Sequence, residues 1–270
     1  MSSDLKALRQ RIRRLESTLH LTSAMALVAT AGIRRAMDAM QRAVEYEDAV
    51  TKAMAPLLRF PACRDDPLLR GTRKNGQHCL VVIAGDRGMA GGFNANIFRA
   101  LRLEPSGERI PIGIRACSHL SEEAISAAKL EYAQALGIAA ELCAGWENGV
   151  YAQVDLLYTG YVSALSQQVR RIKIFPFSIP EDPPTDLLLE PDASSVLRTL
   201  LPEYVAARLL RAVRESVAAE TAARRLAMDA AGRNARGMID RLRPEYNRAR
   251  QSTVTQEISE IVAGGEQGGG

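Results

Sequence analysis

The chain has 270 residues, 47% hydrophobic and 24% charged, an ordinary globular composition with enough apolar material for a sizeable core. Its net charge of +4 comes from interspersed residues of both signs, so no compact basic block marks a specific nucleic-acid binder. No run of about 18 apolar residues is present to span a bilayer, and Cys63, Cys79, Cys117 and Cys143 lack the paired spacing of a zinc site or disulfide framework.

The chain opens on MSSDLKALRQRIRR, charged throughout and without a signal-peptide apolar region. It is therefore expected to be soluble by itself and to work at a membrane only through another protein. Leu5, Leu8, Ile12, Leu15, Leu19, Thr22, Ala26, Ala29, Ile33, Ala36, Met40 and Ala43 then follow alternating steps of three and four. That is a heptad seam, and only Thr22 in it is not apolar. Residues 1–60 are read as a coiled-coil helix that declines at Pro56, a rod about 80 Å long from Asp4 to Arg59. Gly32 within it costs about 1 kcal/mol relative to alanine, which suggests close approach of a second helix.

A linker is expected over 61–77, then an α/β, Rossmann-like domain over 78–177. HCLVVIA from His78 reads as a buried strand, and GDRGMAGGFNANIFRAL as a glycine turn opening a helix with Asn94 as N-cap. RIPIGIRA (109–116) reads as a strand and SEEAISAAKLEYAQAL (121–136) as a helix. VDLLYTGYVS and VRRIKIFPF supply further strands. This alternation points to a largely parallel sheet. Pro180, Pro183, Pro184 and Pro191 mark a second linker, 178–193, before a second long helix over 194–262 and a flexible tail over 263–270.

Gly85, Gly88, Gly91 and Gly92 do not have the dinucleotide spacing, and no Gly-Lys-Ser/Thr element follows them. The turn reads as structural, with Asp86 and Arg87 a turn-stabilising pair; the alternative is a stand-alone nucleotide-binding α/β protein with helical arms. His20, His78 and His119 are scattered without metal-ligand spacing, so no metal site is expected. Glu122 and Glu123 suit a helix start, and no serine sits in a nucleophile elbow. No catalytic residue is assigned. Twelve arginines between Arg198 and Arg250 suit either a solvated helical face or docking against acidic partner segments; a coiled-coil adaptor for nucleic acid is the third reading.

Three blocks carry a family resemblance. TLHLTSAMALVATAGIRRA (18–36), GDRGMAGGFNANIF (85–98) and NRARQSTVTQEISEIVAGG (247–265), with LAMDAAGRNA and LEPDASSVLRTLLPEYV in partial agreement, resemble the gamma subunit of F-type ATP synthases, the central rotor stalk. The resemblance implies an antiparallel coiled coil of the two terminal helices with an α/β domain beside it. It implies as partners the alpha and beta subunits of the catalytic ring, the epsilon subunit and the membrane c-ring, with no nucleic acid. Nucleotides and magnesium would be held in the ring, so this chain has no cofactor of its own. Its place would be peripheral, on the cytoplasmic face of a bacterial plasma membrane. Contacts with the beta subunit are carried over to Met25, Arg250, Gln251, Thr255 and Glu257. The sequence departs from the family pattern at Ser23 and Gly32, where basic residues are usual, at Thr221 for histidine and at Arg225 for methionine. Pro244 lies inside what should be continuous helix, at a cost of about 3 kcal/mol and with an expected kink.

Overall fold

The computed structural model describes residues 3–64, 66, 69, 76–177 and 189–266, with backbone only for residues 3, 64, 257 and 260–266. Most of both expected linkers, including Pro67, Pro180, Pro183 and Pro184, and the end of the tail lie outside the described residues. The elements are α1 (Ser3–Arg59), α2 (Pro61–Arg64), β1 (Gln77–Ile83), α3 (Phe93–Leu101), β2 (Glu108–Ile112), α4 (Ile114–Leu120), α5 (Tyr132–Glu147), β3 (Tyr151–Tyr161), β4 (Gln167–Phe175) and α6 (Ala193–Glu266). They form two compact units, Met1–Val28 with Arg225–Gly270, and Ala29–Arg224.

The heptad seam of α1 is legible in its burial. Leu5, Thr22, Ala29 and Ala43 are buried, and the other eight seam positions are half-buried. Thr22 satisfies its hydroxyl within its own helix, donating to the carbonyls of Thr18 (2.9 Å) and Leu19 (3.1 Å). In the first unit the facing seam lies on α6, where Met228, Ala235, Ile239 and Leu242 are buried and Tyr246, Ala249 and Thr253 half-buried. Thr22 there lies against Gly232, and Arg243 reaches Glu16 at 3.3 Å. Residue numbers rise on one helix as they fall on the other, so the pair is antiparallel. In the second unit, Gly32 faces Thr221 and Tyr46 reaches Glu203 at 3.1 Å, which is again antiparallel.

Both long helices are uninterrupted, 57 and 74 residues. The expected helix ended at residue 262; α6 continues to Glu266. It also runs as helix across Pro202 and Pro244. Pro244 and Asp240 are both exposed, so the carbonyl that loses its amide donor can bond to water, which lowers the penalty of an interior proline.

The sheet of the second unit has the order β2-β1-β3-β4. β1 is parallel to β2 and to β3, and β4 is antiparallel to β3. β1 is buried on both faces, which explains its unbroken apolar run. Cys79, Val81 and Ile83 pack with α5, the C-terminal part of α1 and the start of α6; Leu80 and Val82 pack with α3 and α4. Trp146 is fully buried and stacks on Phe175 with ring centroids 5.0 Å apart. All four cysteines are buried free thiols.

Three local expectations are corrected. The strand expected over 109–116 is Glu108–Ile112, and Gly113, at φ 100°, turns the chain into α4. The helix expected over 121–136 forms only from Tyr132, where α5 begins; 122–126 is irregular. Ser121 takes a left-handed conformation, and Asp86 captures the Ala127 and Ala128 amides, so tertiary hydrogen bonds override the local helix preference. Third, the N-cap of α3 is Gly92, not Asn94, whose side chain is used elsewhere.

Candidate functional site

The sheet order reverses at β1, and the glycine turn follows that strand's carboxyl end. Open α/β sheets bind ligands at this topological position. Here a side chain of the same protein fills it. Glu220 of α6, 5% exposed, accepts the amide hydrogens of Asp86 (3.4 Å) and Arg87 (3.1 Å) and pairs with Arg224 one turn on. Arg224 also donates to the Gly88 carbonyl at 3.4 Å. A carboxylate therefore occupies the turn's free amides, which does not favour the nucleotide-binding alternative.

One of the four glycines is required by close approach, and a second takes a conformation that suits glycine. A Cβ on Gly85 would sit 2.7 Å from Glu220 Cδ, and Gly91 has φ 60°, a region that side chains disfavour. Gly88 would meet only the Arg115 guanidinium at 3.2 Å, and Gly92 has ordinary room. Asn94 closes the turn: its Oδ1 accepts from the Gly85 amide at 2.9 Å and its Nδ2 donates to the Arg87 carbonyl at 3.2 Å.

Asp86 does not pair with Arg87, as the sequence suggested. Its carboxylate accepts from Ser126 Oγ (2.7 Å) and from the amides of Ala127 (2.9 Å), Ala128 (3.0 Å) and Ile114 (3.1 Å). Partial burial pushes this carboxyl up. The bonds from Ala128, Ser126, Ile114 and Ala127 outweigh that and hold it below its ordinary value.

Further carboxylates anchor α6 and the sheet. Glu215 accepts from Arg170 (2.8 Å), Tyr158 (3.1 Å) and the Tyr161 amide (3.1 Å), joining α6 to β3 and β4. Burial, then the neighbouring Glu215 charge, raises the Tyr158 pKa. Asp155, 1% exposed, takes hydrogen bonds from Gln153 (2.6 Å) and Arg171 (2.6 Å) and contacts His78 at 2.7 Å. Glu47 of α1 pairs with Arg211 and lies 3.5 Å from Arg208 of α6. Sequence reading missed these anchors; the available signal was acidic residues at 215 and 220 inside an alanine-rich run. The arginines divide likewise. Arg198, Arg208, Arg211, Arg214 and Arg224 have partners within the second unit, while Arg250 is exposed.

Among the residues carried over as beta-subunit contacts, Arg250, Gln251 and Thr255 are exposed on α6, off its buried seam, and Met25 is half-buried on α1. Thr255 Oγ1 is engaged with the Gln251 carbonyl at 2.9 Å. The Glu257 side chain lies outside the described residues. These positions do not form one cluster. Met25 is near the level of Gly232, which faces Thr22, whereas Arg250 lies a further eighteen residues along α6, about 27 Å. Ser23 lines a small recess of about 200 Å3 with Gly232, Arg233 and Arg236, and Arg225 stands 3.8 Å from Asp229. Among the described residues no three histidine, cysteine or acidic side chains gather as a metal site, and no helix is long and apolar enough to cross a membrane.

A family model described as ATP synthase matches residues 4–267. The ATP synthase gamma chain of Granulibacter bethesdensis is 36% identical over 295 residues, covering 98% of this chain and 99% of that one. The gamma chain of Paracoccus denitrificans is 35% identical, covering 97% and 98%. In fold, the chain is similar to one in the Euglena gracilis mitochondrial ATP synthase (TM-score 0.65, 17% identity, 97% of this chain and 94% of that one). It is also similar to one in the central stalk of the Tetrahymena thermophila enzyme (TM-score 0.61, 22% identity, 78% and 99%). With an antiparallel helix pair, a mixed sheet and near full-length identity above 30%, this chain belongs to the ATP synthase gamma-chain family.

Proposed function

We propose that this chain is the central rotor of an F-type ATP synthase, turning inside a ring of alternating alpha and beta subunits and coupling proton or sodium flow through a membrane ring to ATP synthesis or hydrolysis. Its part is mechanical; the nucleotides and their magnesium are bound by the ring. The observation that carries the reading is the division of polar groups along α6. Glu215, Glu220 and Arg211 are engaged in anchoring the helix, while Arg250, Gln251 and Thr255 are left exposed off the seam. A helix fixed by buried charge pairs resists slipping against the elements it holds, as a torque-bearing element must.

In this reading Arg250, Gln251, Thr255 and Glu257 meet the beta subunits at one level and Met25 meets them at another. The α/β domain meets the epsilon subunit and the membrane ring. The complex sits on the cytoplasmic face of a bacterial plasma membrane, and this chain is held there by its partners. Co-expression with alpha and beta subunits should yield a complex containing this chain once per ring. If the ring purifies without it, the rotor assignment fails.

A further inference from the structure

Between α1, α6 and the first turn of α5 lies a groove of about 670 Å3, lined by Ala39, Arg42, Ala43, Tyr46, Tyr132, Leu210 and Arg214. Tyr46 and Tyr132 meet edge to face, with centroids 6.1 Å apart, and both donate their hydroxyls to Glu203. The groove's two cations, Arg42 of α1 and Arg214 of α6, are different in kind from the ion-paired arginines of α6. Arg214 donates to the carbonyls of Ala128 (3.2 Å) and Leu130 (2.7 Å), neutral acceptors that orient the guanidinium without cancelling its charge. Arg42 is exposed and has no carboxylate partner among the described residues. Both cations line the groove, and burial, then the charge of Arg42, lowers the Arg214 pKa.

Three acidic groups on the lining elements are already engaged, while Asp38, one turn from Arg42 on α1, is exposed. Glu47 holds Arg211 and Arg208, Glu203 accepts the two tyrosine hydroxyls, and Glu131 and Gln134 cap the start of α5 reciprocally. Guanidinium forks match carboxylates and phosphates alike; Ala39 and Ala43, one helical turn apart on α1, with Leu210 beside them, leave a shallow trough for an apolar helix face, which favours an amphipathic peptide over a bare phosphate.

We propose that this groove seats an acidic amphipathic helical segment of a partner polypeptide, with its carboxylates on Arg42 and Arg214 and its apolar side against Ala39, Ala43 and Leu210. The inference goes beyond the contacts assigned above and does not use them.

A photo-crosslinking amino acid at Ala39 in the assembled complex, with mass-spectrometric mapping of the adduct, tests it. The expected adduct lies in an acidic segment of another chain and falls at least fivefold in yield with Arg42→Glu, with Arg42→Lys recovering most of it. Among the described residues Arg42 makes no ion pair, so the variant is expected to fold. In parallel, the full-length chain is titrated with a synthetic helical peptide of glutamate and leucine, with a lysine-for-glutamate version, and with inorganic phosphate. The acidic peptide alone should bind, about tenfold more weakly to Arg42→Glu. An adduct in a basic segment, phosphate binding that depends on Arg42, or acidic-peptide binding unchanged by Arg42→Glu overturns the proposal. If the ring assembles without this chain, the rotor reading fails, and the peptide titration still decides the groove.

Discussion

At the residue scale, the groups that matter most are carboxylates aimed inward. Glu220 supplies the glycine turn with an internal anion, and Asp86 gathers four donors from two loop segments that no local rule would join. Asp86 makes stability depend on acid. Its folded pKa lies below the ordinary 3.8, so its contribution is fully present above that value and is lost as pH falls through the depressed folded value. Asp86→Asn places an amide donor against hydrogen-bond donors and should destabilise the chain by about 1–3 kcal/mol at neutral pH. Urea unfolding followed by circular dichroism should show that the gap from wild type is largest at pH 7 and shrinks below about pH 4. A gap of equal size at pH 7 and pH 3 would mean that the Asp86 charge contributes nothing.

At the element scale, α1 and α6 owe their continuity to seams, not to uniformly strong helix propensity. Gly32, Gly232 and Gly237 all sit inside these helices. A Cβ on Gly32 would meet Thr221 Cγ2 at 3.5 Å, an ordinary contact, so alanine would fit and crowding does not require the glycine. Gly237 has nothing within 4 Å of an added Cβ. Gly237→Ala should therefore stabilise α6 by up to about 1 kcal/mol, read as a higher thermal midpoint of helical ellipticity. A lower midpoint would show that flexibility at this position is built into the folded helix. Pro244 is tolerated on similar grounds, since its exposed position leaves the unpaired carbonyl accessible to water.

At the scale of the whole molecule, the same helix serves two purposes in different places. Over residues 198–224 of α6, ion pairs and hydrogen bonds tie it to the sheet, the glycine turn and α1. Around residue 250 its polar side chains are exposed and off the buried seam. If Gln251 belongs to the proposed beta-subunit contacts, Gln251→Leu should lower ATP-driven ion pumping several-fold, because an exposed amide would be replaced by an apolar group of similar size. The thermal melt of the isolated chain should stay within about 0.5 kcal/mol of wild type, as expected for an exposed position. Unchanged pumping in that variant would remove Gln251 from the contact set.

The two long helices were legible because a 3–4 spacing of Leu, Ile and Ala leaves one strip that must be covered wherever the chain goes. The β1 run and the blocks around residues 25, 88 and 251 were legible because each is written in neighbouring residues. The sequence by itself thus determined the helical seams, the β1 run and the family. Only the tertiary structure decided that residues 122–126 are irregular and not helical, since the competing hydrogen bonds come from Asp86, some forty residues earlier in the chain. It also decided that the glycine turn is closed, because its occupant, Glu220, is separated from it by more than a hundred residues. Periodicity reports which face needs covering; it does not report which distant side chain arrives to satisfy a buried amide.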